Sequence, residues 1–388
     1  MSYLYIDTDQ QLADFCRDIE AADYCAVDTE FMRENTYYPV LALIQIATEQ
    51  HMGCIDPLAI KDFSPLIALM ECEKLTKVFH SPSQDLEILF QQFAQVPRPV
   101  FDTQLAAAVL GYNHQIGYAD LVSQIIGVKL EKKHTRADWL KRPLLNEELD
   151  YAMDDVRYLL PLYQHLKTDL DGKKRRSWIE KDLQKMSAAS SYEIDMENLW
   201  KRLKGVQKLK GLNLQIASQL CQWREHIAQK KDRPRRWMAK DDWLIEISRQ
   251  IPDSIGDLTS MRELNEKFIT QHGQAILKII KEAKNLNSTE WPEPDRVHSL
   301  SSRQQALGDC MMALCRIIAE ESQIALATLA TRKDIDNLII KRKNSRLSQG
   351  WRFTLAGEKL LEFIHGQSVL GVFGDQIKIL PREPINKS

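Results

Sequence analysis

Residues 24–31 read Y-C-A-V-D-T-E-F and residues 41–48 read L-A-L-I-Q-I-A-T. Both are short runs rich in Val, Ile, Leu and Phe, the composition of a strand. Gly53–Asp56 is a third such run. The three follow one another with no room for a helix, so a meander is expected. Thr76–His80 reads as a further strand, after which the pattern changes. Ser81-Pro82-Ser83 offers turn chemistry and an N-cap serine for a helix over Gln84–Phe93. Val100–Asp102 is a short strand. Gln104–Leu110 and Tyr118–Ile126 are helices, the second closed by Gly127. Asn146–Lys167 is the longest helix of this half, with a kink expected at Pro161. A meander followed by strand–helix alternation predicts a mixed α/β sheet.

From residue 171 onward strand signals nearly vanish. Residues 171–176, D-G-K-K-R-R, read as a charged turn, and 187–191 as a small-residue break. Leu212, Ile216, Leu220, Trp223 and Ile227 fall on one helix face. Shorter helices are expected at Trp243–Ser248, Met261–Phe268 and Gln274–Ala283. The polar, Pro-bearing stretch N-S-T-E-W-P-E-P-D (287–295) reads as a linker. A second helical block, Ser301–Gly366, matches the first in size and order. The tail has a strand-like piece and then a frayed P-R-E-P-I-N-K-S. These breaks divide the chain into 1–170, a helical linker at 171–209, small all-α domains at 210–286 and 296–367, and a tail at 368–388.

With 388 residues, 44% hydrophobic and 27% charged, the composition is that of a globular protein. No run approaches the roughly 20 apolar residues that span a bilayer. The N-terminus carries Asp7 and Asp9 and lacks a basic-then-apolar leader pattern. A cytoplasmic protein without a membrane partner is expected. The seven cysteines (16, 25, 54, 72, 221, 310 and 315) are scattered and form no C-x-x-C pair. This argues against a disulfide framework or a structural zinc site, and for reduced, mostly buried thiols. The net charge of −2 conceals an asymmetry. Residues 1–170 hold 14 Lys and Arg against 26 Asp and Glu, and the remainder holds 38 against 28. An acidic half beside a basic half suits metal chemistry beside polyanion binding.

Asp28 and Glu30 stand two apart at the end of a predicted strand, so their side chains share one face. Paired carboxylates at one spot are costly unless a cation compensates them. Hard oxygen ligands suit Mg²⁺ or Mn²⁺. D-x-E also occurs at Asp18–Glu20, Asp85–Glu87 and Asp195–Glu197, so the pattern alone does not single out this pair. Tyr151 and Asp155 are four apart on the long helix, one above the other, and could hold one water between them. Tyr3–Asp7, Tyr5–Asp9 and Tyr24–Asp28 share that spacing but lie in strand-like segments, where four residues separate side chains by roughly 13 Å. Asp85 opens a helix, where the helix dipole alone would favour a carboxylate.

The joint order changes this reading. The chain reads A-V-D-T-E-F (26–31), F-H-S-P-S-Q-D-L (79–86) and Y-A-M-D-D-V-R-Y-L (151–159). This resembles the three motifs of the 3′→5′ exonucleases with four acidic residues and a tyrosine, and it is most similar to the ribonuclease D family. L-A-L-I-Q-I-A (41–47) and Phe101-Asp102-Thr103 are similar to the family's intervening strands. Arg136-Ala137-Asp138-Trp139 resembles the segment before the third motif. Residues 212–283 contain W-R-E-H-I-A (223–228), R-P-R-R-W-M (233–238), I-P-D-S (251–254) and H-G-Q-A-I-L (272–277), similar to the helicase-and-RNase-D C-terminal (HRDC) domain. L-A-T-R-K-D-I-D-N-L-I (329–339) and S-R-L-S-Q-G-W-R (345–352) resemble a diverged second copy.

The resemblance implies a ribonuclease H-like mixed sheet in which Asp28, Glu30, Asp85 and Asp155 hold two divalent cations, Mg²⁺ or Mn²⁺. It implies that Tyr151 orients the attacking water, and that 5′-nucleoside monophosphates leave one at a time from a 3′ end. The implied partner is RNA with a free 3′ end, transfer RNA precursors and other small structured RNAs among them; a monomer is expected. Thr29, Phe31, His80 and Gln84 are candidates for contact with the terminal nucleotide. Lys231, Arg233, Arg235 and Arg236, clustered with Lys230, Lys240 and Trp237, are candidates for phosphate contacts. Two rivals stand beside this reading. One is a DNA exonuclease using the same site, since nothing in the carboxylate set reads a 2′-hydroxyl. The other is a non-catalytic nucleic-acid-binding protein on a relic nuclease fold, against which all four carboxylates are present.

Overall fold

The computed structural model describes residues 2–130, 137–294, 300–340 and 345–382. Expectations that fall on Arg136, on Asp295, on 296–299 and on the 383–388 end of the tail lie outside the described residues. The chain forms two compact units. One comprises Met1–Glu30, Leu41–Ser191 and His298–Ser388; the other comprises Phe31–Val40 and Tyr192–Val297.

The first unit is built on a six-stranded mixed sheet. Its elements are β1 (Leu4–Ile6), α1 (Asp9–Ile19), β2 (Tyr24–Met32), β3 (Val40–Ala47), β4 (Met52–Ile55), α2 (Ser64–Glu71), β5 (Thr76–Phe79), α3 (Ser83–Phe93) and β6 (Val100–Asp102). Five helices follow: α4 (Thr103–Leu110), α5 (Tyr118–Ile125), α6 (Asn146–Arg157), α7 (Leu159–Gly172) and α8 (Arg176–Met186). The strand order is β1-β4-β3-β2-β5-β6, so the predicted meander β2-β3-β4 is present. β3 runs antiparallel to β4, whereas β2, β5 and β6 run parallel. Leu41 to Ala47 are buried at every position because both faces of the sheet are covered.

Several local expectations are corrected. The sequence reading identifies neither α1 nor α2. Yet α1 buries Leu12, Phe15, Cys16 and Ile19, the three-and-four spacing of an amphipathic helix. α3 has no serine cap: Pro82 occupies the cap position and makes no side-chain cap hydrogen bond. The long helix does not kink at Pro161 but breaks at Tyr158. Pro161 has no N–H for the Arg157 carbonyl, and its ring would crowd that oxygen, so helical pairing ends there.

The second unit carries α9 (Gly211–Lys231), α10 (Arg235–Met238), α11 (Asp241–Gln250), α12 (Ile255–Ser260) and α13 (Glu266–Asn285). Its core includes Leu214, Ile216, Leu220, Leu244, Ile247, Leu258 and Ile276, all fully buried. The helix expected over Met261–Phe268 is absent. Ser254 caps α12, and Asn265 caps a separate helix that starts at Glu266. Polar caps set these boundaries, while the apolar spacing runs across them.

The second helical block belongs to the first unit. It comprises α14 (Ser302–Glu321), α15 (Leu326–Leu329), α16 (Arg332–Ile339), α17 (Gly350–Arg352), a π-helical stretch at Phe353–Gly357, and α18 (Glu358–Ile364). A hairpin of β7 (Ser368–Phe373) and β8 (Gln376–Pro381) closes the described chain. Trp178 of α8 stacks on Trp351 with centroids 4.3 Å apart and planes 2° from parallel. Arg175 donates to the Val109 and Ser322 carbonyls. Gly111 sits at φ +110°, and a Cβ there would stand 2.6 Å from the Gln323 carbonyl oxygen, so only glycine fits this approach. Among the described residues no helix is long and apolar enough to cross a membrane. Cys16, Cys25, Cys54, Cys221 and Cys315 are buried, and all seven thiols are free.

Candidate active site

β2 is an interior strand flanked by β3 and β5. Its pairing with β5 covers Tyr24–Ala26, and Asp28 and Glu30 follow just beyond. Carboxyl ends of parallel strands are where open α/β sheets expose chemistry. Asp155 reaches the same point from α6, whose Leu149, Ala152, Met153 and Val156 are buried. One ligand atom from each of Asp28, Glu30 and Asp155 lies within 4.8 Å of the others. All three residues are half-buried, so the cluster is set into the fold yet open to a ligand.

Asp85 arrives by another route. β5 leads through His80-Ser81-Pro82 into the first turn of α3, which carries Asp85. Ser81 takes φ 57°, in the left-handed region, and its N–H donates to Asp102 Oδ1 at 2.9 Å. The same oxygen accepts from the Gln104 N–H at 2.9 Å. Asp102 thus pins the turn that aims α3. Thr29 Oγ1 donates to Asp85 Oδ1 at 2.5 Å. This tie holds α3 to β2 between the two other carboxylates of that strand.

The electrostatics follow from this crowding. Burial, then Asp85, Asp155 and Glu30, raise the Asp28 carboxyl well above its ordinary range. Burial, with Asp155 and Asp85, pushes Glu30 up to about 8. Burial, with Asp154 and Asp85, pushes Asp155 up to about 7. Burial also raises Asp85, and the Thr29 hydrogen bond opposes that rise. Mutual repulsion among clustered carboxylates is relieved by a proton or a cation. The donor set, all hard oxygen and partly open, fits Mg²⁺ or Mn²⁺. Tyr151 stacks near Trp139, with centroids 6.3 Å apart. Burial and the charges of Asp155, Glu30 and Asp28 raise its phenol far above the usual value, so it stays protonated.

The other candidates separate. Thr29 is buried, and its hydroxyl donates to Asp85. His80 is engaged within the fold: Nδ1 pairs with Thr103 Oγ1 at 3.0 Å and Nε2 with the Ile116 carbonyl at 3.1 Å. With both nitrogens engaged and burial pushing it down to about 4, His80 is a neutral strut. Phe31 is half-buried and Gln84 exposed. Lys231 and Arg236 are exposed, with Trp237 beside them at 59% exposure. Arg233 donates to the Asn35 carbonyl at 3.0 Å. Arg235 is partly exposed, and its Nε and Nη2 each donate to Glu225 at 2.5 Å. Asp102 and Trp139 carry positioning roles that the sequence reading missed. Only the motif-like segments around them could have flagged either.

A mixed sheet with carboxylates converging from β2, α3 and α6 fits the class of 3′→5′ exonucleases. A family model described as 3′-5′ exonuclease matches residues 3–171, and one described as HRDC domain matches 213–280. The chain is 34% identical to a ribonuclease D of Jannaschia sp., covering 97% of this chain and 98% of the relative. It is 35% identical to a ribonuclease D of Sphingobium indicum, covering 96% and 97%. The crystal structure of Escherichia coli RNase D superposes with a TM-score of 0.85 at 31% identity, covering 94% of this chain and 99% of that one. The chain belongs to the ribonuclease D family, and it is a 3′→5′ exoribonuclease, a hydrolase. Divalent-metal use goes with this class and with the carboxylate cluster.

Proposed function

We propose that the enzyme hydrolyses the terminal phosphodiester at the 3′ end of RNA and releases 5′-nucleoside monophosphates one at a time, with two divalent cations held by Asp28, Glu30, Asp85 and Asp155. The observation that carries this reading is the convergence of Asp28, Glu30 and Asp155 within 4.8 Å, with Asp85 tethered to the same strand through Thr29. When bound, the cations supply a water of lowered pKa and stabilise the leaving 3′-oxygen and the developing phosphorane charge. Tyr151, protonated and half-buried one turn before Asp155, donates to and orients the attacking water rather than taking its proton. Trp139 holds the Tyr151 ring in place. Phe31 and Gln84 are the remaining candidates beside the terminal nucleotide. Lys231, Arg233 and Arg236, with Trp237, contact the phosphates and bases further along the strand.

The substrate class follows from the relatives. The Escherichia coli protein is described as an exoribonuclease involved in structured RNA processing. We extend that to this chain, with transfer RNA precursors and other small structured RNAs as substrates of a cytoplasmic monomer. The deciding experiment is a time course on end-labelled RNA bearing a 3′ extension, with a matched DNA alongside and with chelator as control. Stepwise shortening from the 3′ end of RNA, stopped by chelator, is the expected result. Equal degradation of DNA would favour a general nuclease. Internal cleavage would sink the exonuclease assignment.

A further inference from the structure

The segment that follows the candidate metal strand is held by the first helical module. Phe31 succeeds Glu30 directly, and β2 continues to Met32, yet residues Phe31–Val40 belong to the compact unit of α9–α13. The attachment is specific. The N–H groups of Tyr37 and Tyr38 both donate to Asp232 Oδ1, at 3.0 and 3.1 Å. The Tyr37 hydroxyl donates to Glu225 Oε1 and accepts from Arg235 Nη2 at 3.0 Å and Gln229 Nε2 at 3.3 Å. Arg235 also lies over the Tyr37 ring, 4.7 Å from its centroid. Arg233 donates to the Asn35 carbonyl at 3.0 Å. Glu225 is 2% exposed, so this is an anchored joint rather than a loose surface pair.

We infer that the first helical module is a positioning element of the exonuclease site: Asp232, Glu225 and Arg235 fix the Tyr37 segment, and through the continuous chain they fix the strand end that presents Glu30. A module that only gripped RNA would need its cations facing solvent. Here Arg235, itself partly exposed, commits two of its N–H groups to the buried Glu225, and the acceptors bind a segment of the catalytic half of the sequence. The inference rests on the proposed role of Glu30, and it separates Asp232 and Arg235 from the phosphate-binding residues around them. Small displacements of a ligating carboxylate cost rate rather than binding.

The test uses the full-length enzyme, Mn²⁺ and a short single-stranded oligoribonucleotide. Asp232 sits at φ 45°, a conformation that Gly and Asn both tolerate. Asp232→Asn keeps an acceptor oxygen, and Asp232→Gly removes it. Asp232→Gly should lower kcat roughly ten- to a hundredfold, with little change in KM. It should also raise the Mn²⁺ concentration for half-maximal rate, while Asp232→Asn stays near wild type. Tyr37→Phe, which keeps the ring, should lower kcat in the same direction and covers the case in which Asp232→Gly fails to fold. Lys278→Ala, on the exposed face of α13, serves as the control with unchanged kcat. Wild-type kcat in both Asp232→Gly and Tyr37→Phe, an effect confined to KM on long RNA, or equal losses in Asp232→Asn and Asp232→Gly would overturn the inference. Glu30→Gln is run in parallel. Full turnover by that variant would instead overturn the metal-site reading on which the inference stands.

Discussion

The Thr29 hydroxyl donates to the Asp85 carboxylate at 2.5 Å, joining residues 56 positions apart. That bond restrains the Asp85 carboxylate beside β2. Thr29→Val keeps the β-branched shape and removes one donor to a buried carboxylate, leaving it the backbone N–H groups. Such a loss costs about 1–3 kcal/mol. The expected outcome is a folded enzyme with kcat reduced on the order of tenfold and a higher Mg²⁺ requirement. Steady-state kinetics across a Mg²⁺ titration checks this, and an unchanged titration curve would remove Asp85 from the metal set.

The carboxylate cluster also predicts a pH-dependent response to metal. In the metal-free fold Glu30 titrates at about 8 and Asp155 at about 7, against unfolded values near 4. The folded state therefore binds more protons than the unfolded state across that window. Its stability falls as pH rises from about 4 through about 8. A divalent cation supplies the missing positive charge. The rise in Tm on replacing chelator with Mn²⁺ should be larger at pH 8.5 than at pH 5. Equal increments would count against a cation held among these groups.

Asp155→Asn is expected to abolish hydrolysis while RNA binding persists. The substitution is nearly isosteric, removes one anionic ligand, and relieves part of the repulsion that raises Asp28 and Glu30. Binding measured without turnover, on a 3′-extended RNA, should match wild type within a few-fold. Near wild-type turnover would sink the assignment of Asp155.

Much of the sheet was legible because its strands are apolar runs bounded by turn residues. β6 falls at Val100–Asp102, as the sequence reading places it. α1 was equally periodic, but its polar residues outnumber the four it buries, and the reading passed over it. Asp28, Glu30, Tyr151 and Asp155 each have decoys at the same spacing. Their convergence was visible only through the order of the three motifs. The tie from Thr29 to Asp85 and the pin from Asp102 to Ser81 were not visible, because each depends on a partner 56 or 21 positions away. Arg235 shows the same limit from the other side. A basic cluster in sequence does not reveal which guanidinium already has a buried carboxylate.

In the second helical block Asp334 is the acidic anchor. It is 5% exposed, accepts from Thr331 N–H and Oγ1 at 2.8 and 2.6 Å, and pairs with Arg346 Nη2 at 2.7 Å. Burial opposes ionisation, but the Arg346 and Thr331 hydrogen bonds outweigh it and bring the carboxyl down to about 2. A depressed folded pKa contributes stability that is present above the unfolded value near 4 and is lost as pH falls towards 2. The shift corresponds to something on the order of 2 kcal/mol. Asp334→Asn should therefore be destabilised at pH 7 and approach wild type near pH 2. Denaturant melts at the two pH values check this, and a constant difference would show that packing, not charge, is responsible.

Arg235 and Arg236 are neighbours with opposite expected phenotypes. Arg236 is exposed beside Trp237, whereas Arg235 forms a two-point pair with Glu225. Arg236→Ala should leave the melting of the helical unit unchanged. It should weaken RNA binding and reduce the slope of log affinity against log salt by about one, the signature of a lost phosphate contact. Arg235→Ala removes the cation from the buried Glu225 and leaves it with the Tyr37 hydroxyl, a destabilising change. That variant should lower the melting temperature and change the salt slope little. Salt-dependent binding isotherms with thermal melts on both variants separate the two roles. A reduced salt slope in Arg235→Ala, with normal melting, would return Arg235 to the RNA-binding face.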